Sequence, residues 1–138
     1  MVSKSIILER LESLDQNLAL AKKLGKNSMS VFVESIEIHM LAERCLHLAM
    51  EAILDISNHL VSEYNLGRPQ TYADSIEKLA EAKIISRKLG EKLIPWVGFR
   101  NLLVHGYLKL DHSKTHQAIS KDLKTLEAFK KAVQKLIY

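Results

Sequence analysis

A chain of 138 residues, 47% hydrophobic and 26% charged, has the length of one domain with a real core. Its longest stretch free of Lys, Arg, Asp and Glu is the eight residues 101–108, far short of the roughly 20 apolar residues a spanning helix needs; a cytoplasmic protein with no membrane segment is expected. One cysteine, Cys45, excludes an intrachain disulfide and a multi-cysteine metal centre, and the net charge of +4 comes entirely from residues 112–138, six lysines against Asp122 and Glu127.

Gly and Pro fall almost only at candidate breaks, and between them the apolar spacing is helical throughout, so the predicted fold is all-α. Residues 3–23 carry Ile7, Leu11, Leu14, Leu18 and Ala21 at three-to-four spacing, with Gly25 as a C-terminal stop. Residues 30–64 read as one long second helix. Ala42, Cys45, Leu46, Ala49, Ala52, Ile53, Ile56 and Leu60 share a face, widened by Met50, Leu54 and Val61 on one side and by Leu41 and Leu48 on the other. So wide an apolar surface calls for more than a hairpin partner, and a homodimer with this helix near the interface is the expected cover.

Asn65 to Pro69 form a loop, and Thr71 with Asp74 three residues on resembles a capping box opening a short helix to about Ala82. A fourth helix spans roughly 86–104, kinked or restarted near Pro95 and ended by Gly106. Asp111 or Ser113 caps a last helix with a core stripe of Leu126, Phe129, Val133, Leu136 and Ile137; five of its lysines fall in one arc beside that stripe. A basic helix can attract nucleic acid, but a solvated face is the commoner role of such lysines. The expectation is a single bundle of about five helices over residues 1–138.

The chemistry concentrates in Phe99-Arg100-Asn101-Leu102-Leu103-Val104-His105-Gly106-Tyr107. Arg100 offers a rigid fork of donors that matches phosphate oxygens. His105 belongs to the one residue type whose ordinary pKa, about 6.5, permits acid and base work near neutrality. On an undistorted helix the two lie about 140° apart. Convergence therefore needs either an unwound turn at Gly106, which a left-handed glycine permits, or a second subunit that supplies the complementary residue. Taken only as side chains, His105 at a helix C-terminus and Arg100 in a surface ion pair also make ordinary structural sense.

Other polar groups carry less. His47, Glu51 and Asp55 align at four-residue spacing, but no second His or Cys completes a metal cage, and a polar strip accounts for them. Asp55 and His59 are spaced to bond each other, His112 and His116 read as surface residues, and Cys45 reads as a small core residue. No metal and no cofactor is called for.

The stretch from Gly98 to Tyr107 closely resembles the signature of the HepT-like toxins of the HEPN superfamily: an arginine, four to six residues, a histidine, and in many members a tyrosine two further on. Residues 48–60 are similar to that family too, as are Thr71-Tyr72 with Leu79-Ala80-Glu81-Ala82. The resemblance implies a dimerising helical bundle whose two signatures line one cleft, and a metal-independent ribonuclease that serves as a bacterial toxin acting on RNA. It also implies a minimal nucleotidyltransferase antitoxin that silences the toxin by transferring AMP to the signature tyrosine. Arg100 and His105 then form the catalytic pair, Asn101 matches the polar residue that follows the arginine, and Tyr107 is the modification site. The competing reading is a non-catalytic subunit that holds a nucleotide or a nucleotidyltransferase in the same cleft; an inactive structural dimer leaves the Arg–Asn–His–Tyr grouping without a reason.

Overall fold

The computed structural model describes residues 4–138, with the side chain of Tyr107 outside the described part. Among the described residues it contains six α-helices, one short 3-10 turn and no strand. The first helix, α1 (Lys4–Leu24), buries the five apolar residues its spacing marks, Ile7, Leu11, Leu14, Leu18 and Ala21. Each such burial is worth about 1.5–3 kcal/mol for the larger side chains. Gly25 ends it, and the stop has a packing reason: a Cβ there would fall 2.3 Å from Ile119 Cγ2 in the last helix.

The expected long second helix is two helices. A separate short one, α2 (Met29–Glu34), is capped by Ser28 and buries Phe32; the long one, α3 (Ile36–Glu63), comes third. Ser35 between them has extended backbone (φ −89°, ψ 107°), donates its N–H to Val31 O, and accepts from Ile38 N with its hydroxyl. Serine is a strong N-cap because its side chain replaces a missing helical acceptor, and here it overrides an apolar pattern that runs on past it. The bundle therefore has six helices rather than five.

At 28 residues, α3 is about 42 Å long and forms the axis of the molecule. Its broad apolar face is covered within the chain. Met50 and Leu54 are 0% and 2% exposed, with α1 packed along α3 most extensively and α4, α5, α6 and α2 completing the cover. Around Met50, Leu54 and Val61 that face therefore needs no second chain to cover it, whereas Leu41 stays open. Large apolar side chains do stay open near the start of α3, Val31 on α2 and Ile36, Met40 and Leu41 on its first turns.

Helix α4 (Tyr72–Glu81) starts as its sequence indicates: Thr71 Oγ1 accepts from Asp74 N, and Asp74 Oδ2 accepts from Gln70 N, both at 3.0 Å. Helix α5 (Arg87–His105) is capped by Ser86 and runs through Pro95 without a break. It packs on α4 closely enough that a Cβ on Gly90 would lie 3.1 Å from Ala80 Cβ. After the 3-10 turn Tyr107–Lys109, Asp111 caps α6 (His112–Ile137). Of the expected stripe on α6, Leu126, Phe129 and Val133 are buried, whereas Leu136 is exposed. Lys114, Lys121, Lys124, Lys131 and Lys135 are all exposed, which is the solvated face.

Candidate active site

Arg100 lies in the penultimate turn of α5 and turns inward, against the middle of α3. Its Nε donates to Glu51 Oε1 at 2.6 Å and its Nη1 donates to Asn101 Oδ1 at 3.0 Å. The guanidinium carbon lies 4.9 Å from the centroid of the Tyr72 ring at the start of α4, a cation–π distance. The arginine side chain is 12% exposed, that of Glu51 42%. A planar cation is thus held in one orientation by a carboxylate, an amide and an aromatic face, each from a different turn or helix.

The hold continues along α3. His47 Nε2 lies 3.4 Å from Glu51 Oε1, and Arg44 Nη1 lies 3.1 Å from His47 Nδ1. Because arginine only donates, His47 Nδ1 accepts, and the ring carries its proton on Nε2, facing Glu51. Arg44, His47 and Arg100 therefore all direct donors along one chain that ends on Glu51. The polar strip read from the sequence divides here: Glu51 serves Arg100, while Asp55 is paired with Arg10 Nε of α1 and stands 3.9 Å from His59 Nε2. Among the described residues no group of three or more His, Cys, Asp and Glu is arranged to hold a metal ion.

His105 is the last residue of α5 and is exposed. Gly106, expected to permit a left-handed turn, has φ −119° and ψ 27° and simply closes the helix by donating its N–H to Leu102 O at 2.8 Å. The helix is regular up to His105, so within one chain His105 is displaced from Arg100 by about 7.5 Å along the axis and about 140° around it. Of the two routes to convergence, the unwound turn is absent. Asn101 is exposed next to Arg100, and the backbone of Tyr107 opens the 3-10 turn; the modification expected at Tyr107 falls on a side chain outside the described part.

A cavity of about 800 Å³ adjoins this group, between the C-terminal half of α3, the loop before α4 and the middle of α5, with Tyr72 and Asn101 in its wall. Cys45 takes no part: it is buried in α3, and burial pushes its thiol pKa up, which keeps it protonated and unreactive.

A second polar cluster has no counterpart in the sequence pattern. Glu43 Oε2 accepts from His112 Nδ1 at 2.7 Å and from Thr115 Oγ1 at 2.9 Å. The His112 ring stacks on His39, with centroids 3.7 Å apart and planes 12° off parallel. His39 Nδ1 meets the carbonyls of Phe32 and Val33 at 3.2 and 3.1 Å, and His116 Nε2 meets Asn27 O at 2.7 Å. The two histidines read as surface residues therefore fasten the start of α6 to α2, α3 and the loop before α2.

With this geometry in place, comparison with known proteins is decisive for the family. The profile described as Ribonuclease HepT-like matches residues 11–133. The chain belongs to the HepT-like ribonuclease family. It is 32% identical over 115 residues to the tRNA nuclease HepT of Aphanizomenon flos-aquae, covering 83% of this chain and 78% of that one. It is 34% identical over 84 residues to the mRNA nuclease HepT of Shewanella oneidensis, covering 61% and 63%. Among solved structures, a tri-AMPylated HEPN toxin of Shewanella oneidensis in complex with an MNT antitoxin matches with a TM-score of 0.88 at 25% identity, over 96% of this chain and 99% of that one. YutE of Bacillus subtilis, described as a cytosolic protein of unknown function, matches with a TM-score of 0.86 at 25% identity, over 99% and 91%. No described helix of this HepT-like chain is long and apolar enough to cross a membrane.

Two residues of the group around Arg100 escape the sequence pattern. Glu51 shows there only its neighbours on its own helix, because its pairing with Arg100 spans 49 positions. Tyr72 stands in a segment that resembles the family, yet nothing local marks it as a platform for the guanidinium.

Proposed function

We propose that the chain is a metal-independent endoribonuclease, the toxin of a toxin–antitoxin pair, with Arg100 and His105 as its catalytic residues. RNA brings its own nucleophile. The 2′-oxygen bonds to the adjacent phosphorus, the bond from phosphorus to the 5′-oxygen breaks, and that oxygen leaves with the electron pair and takes up a proton. His105 accepts the 2′-hydroxyl proton or delivers one to the leaving oxygen. Arg100 offsets the charge that builds on the phosphoryl oxygens, and its fixed orientation means that little reorganisation accompanies the reaction.

The observation that carries this reading is the preset guanidinium: Nε and Nη1 are engaged by Glu51 and Asn101, while Nη2 contributes two further N–H donors suited to phosphate. Because His105 projects from the other side of the same helix, the complementary histidine comes from a second copy of the chain, and the working unit is a homodimer with composite sites. The exposed Leu102 and Leu108 around the end of α5 are apolar surface that such an assembly would cover.

The partner that restrains the enzyme is a minimal nucleotidyltransferase, as the relatives solved with an MNT antitoxin favour. In that step the Tyr107 oxygen bonds to the α-phosphorus of ATP, pyrophosphate leaves with the electron pair, and the phenolic proton passes to solvent. The added phosphate competes for Arg100. The test is incubation of the purified chain with RNA in EDTA. Cleavage that persists in chelator and disappears in His105→Ala is expected. Absence of cleavage, with tight binding of a nucleotide or of the nucleotidyltransferase, would favour the non-catalytic subunit instead.

A further inference from the structure

Resting on the ribonuclease reading, we infer that the cavity beside Arg100 is a base-binding subsite for a nucleotide flanking the cleaved phosphate, and that it selects bases bearing keto oxygens, uracil or guanine, over adenine. Its volume, about 800 Å³, falls within the roughly 300–1,000 Å³ of small-ligand sites. Val61 and Val97, both nearly fully buried, contribute an apolar floor. Tyr72 supplies an aromatic ring, 41% exposed, that also carries the Arg100 guanidinium. A base held against a ring next to a cation that meets its phosphate is the recurring arrangement of single-stranded RNA sites.

The polarity of the wall gives the selectivity. Asn101 Oδ1 accepts from Arg100; arginine cannot accept, so the amide orientation is fixed and Nδ2 is left as a donor. Asn58 Oδ1 accepts from Ser75 Oγ at 2.6 Å, an orientation that leaves its Nδ2 to donate. Arg68, in the loop at the rim, adds only donors. Of the polar groups in the wall, Asn58 Nδ2, Asn101 Nδ2 and Arg68 present donors, while Gln70, Ser62 and Thr71 can turn to donate or accept; the preset donors suit a ligand that accepts. Guanine sets two acceptors side by side, O6 and N7, and uracil presents O2 and O4, whereas adenine sets an amino donor beside N7.

The experiment is cleavage of a pool of unstructured RNAs of randomised sequence, followed by sequencing of the ends. The wild-type chain should show one position beside the cut enriched in uracil or guanine over adenine by about tenfold, the scale of one good base-edge contact. Asn58→Asp preserves shape and the acceptor for Ser75 while turning a donor into an acceptor, and should move that position towards adenine and cytosine. Ser62→Trp, an exposed position on the cavity wall, should erase the bias by filling the space, and serves if Asn58→Asp does not fold. Cleavage without a base bias, a bias towards adenine, or a bias untouched by the substitution that folds would overturn the subsite and leave the nuclease standing. If the wild type cuts no RNA, the nuclease reading has failed by itself. The subsite is then judged by titrating uridine and adenosine monophosphates while following the Asn58 and Asn101 side-chain amide resonances: tighter uridine binding that moves both supports it, and no movement or an adenosine preference overturns it.

Discussion

Glu43 and Glu51 stand two turns apart on α3, each beside a histidine and each bonded to a residue far along the chain, yet they belong to different kinds of structure. Glu43 is 7% exposed, and its partners His112 and Thr115 close over it. Glu51 is 42% exposed at its side chain and holds Arg100 beside an open cavity. The sealed cluster satisfies polar atoms that fasten α6 to α3. The open one fixes a cation that, in the ribonuclease reading, meets a phosphate. Residue type does not separate the two; the room left beside them does.

At the open cluster the effect of substitution should fall on catalysis. Arg100→Ala and His105→Ala should each lower RNA cleavage on the order of 10²–10⁴-fold, with helical circular dichroism unchanged. Arg100→Lys should recover little, since an ammonium cannot occupy Glu51, Asn101 and a phosphate with one planar fork. At the sealed cluster the effect should fall on stability. Glu43→Ala leaves Thr115 and His112 without their acceptor and should cost about 2–3 kcal/mol in chemical denaturation, with cleavage per folded molecule unaltered. Glu51→Gln separates charge from geometry at the open cluster. It retains an acceptor for Arg100 without the charge, so cleavage should drop by less than about tenfold, a weakened charge-assisted bond, with melting almost unmoved.

The smallest effect is at the cap of α6. The Ser113 hydroxyl and backbone N–H, both donating to Asp111, hold its carboxyl below the usual carboxylate range. A depressed folded pKa gives stability that is present above the unfolded value, about 3.9, and is lost as pH falls through the folded value. Melting of Asp111→Asn should therefore be flatter than wild type below about pH 4. Equal slopes would show that the cap carries no such linkage.

The helices were legible because apolar periodicity and caps are local signals: Ile7 to Ala21 on α1, the Thr71–Asp74 box, and Asp111 before α6. The break at Ser35 was not, since Phe32 and His39 keep an inward period across it and only the backbone reveals the double cap. At the site, Arg100 and Asn101 adjoin and, with His105 four residues on, could be singled out from the chain, although the fold of one chain does not bring His105 to Arg100. Glu51, Tyr72 and the Glu43–His112 contact depend on which helices pack together, and local spacing carries no such information. The covering of Met50 and Leu54 by α1 and its neighbours is of the same kind: width of an apolar face shows that it is covered, not by which chain.

In the proposed enzyme the Arg100 held by Glu51 is one half of a catalytic centre completed by His105 of a second copy. Mixing Arg100→Ala and His105→Ala chains, unfolded together and refolded so that they exchange, tests it directly by RNA cleavage in EDTA. Composite sites predict that activity returns in the mixture although each variant alone is inactive, because half of the sites in a mixed dimer regain both residues. A mixture as inactive as its components, beside an active wild type, would rule out composite sites.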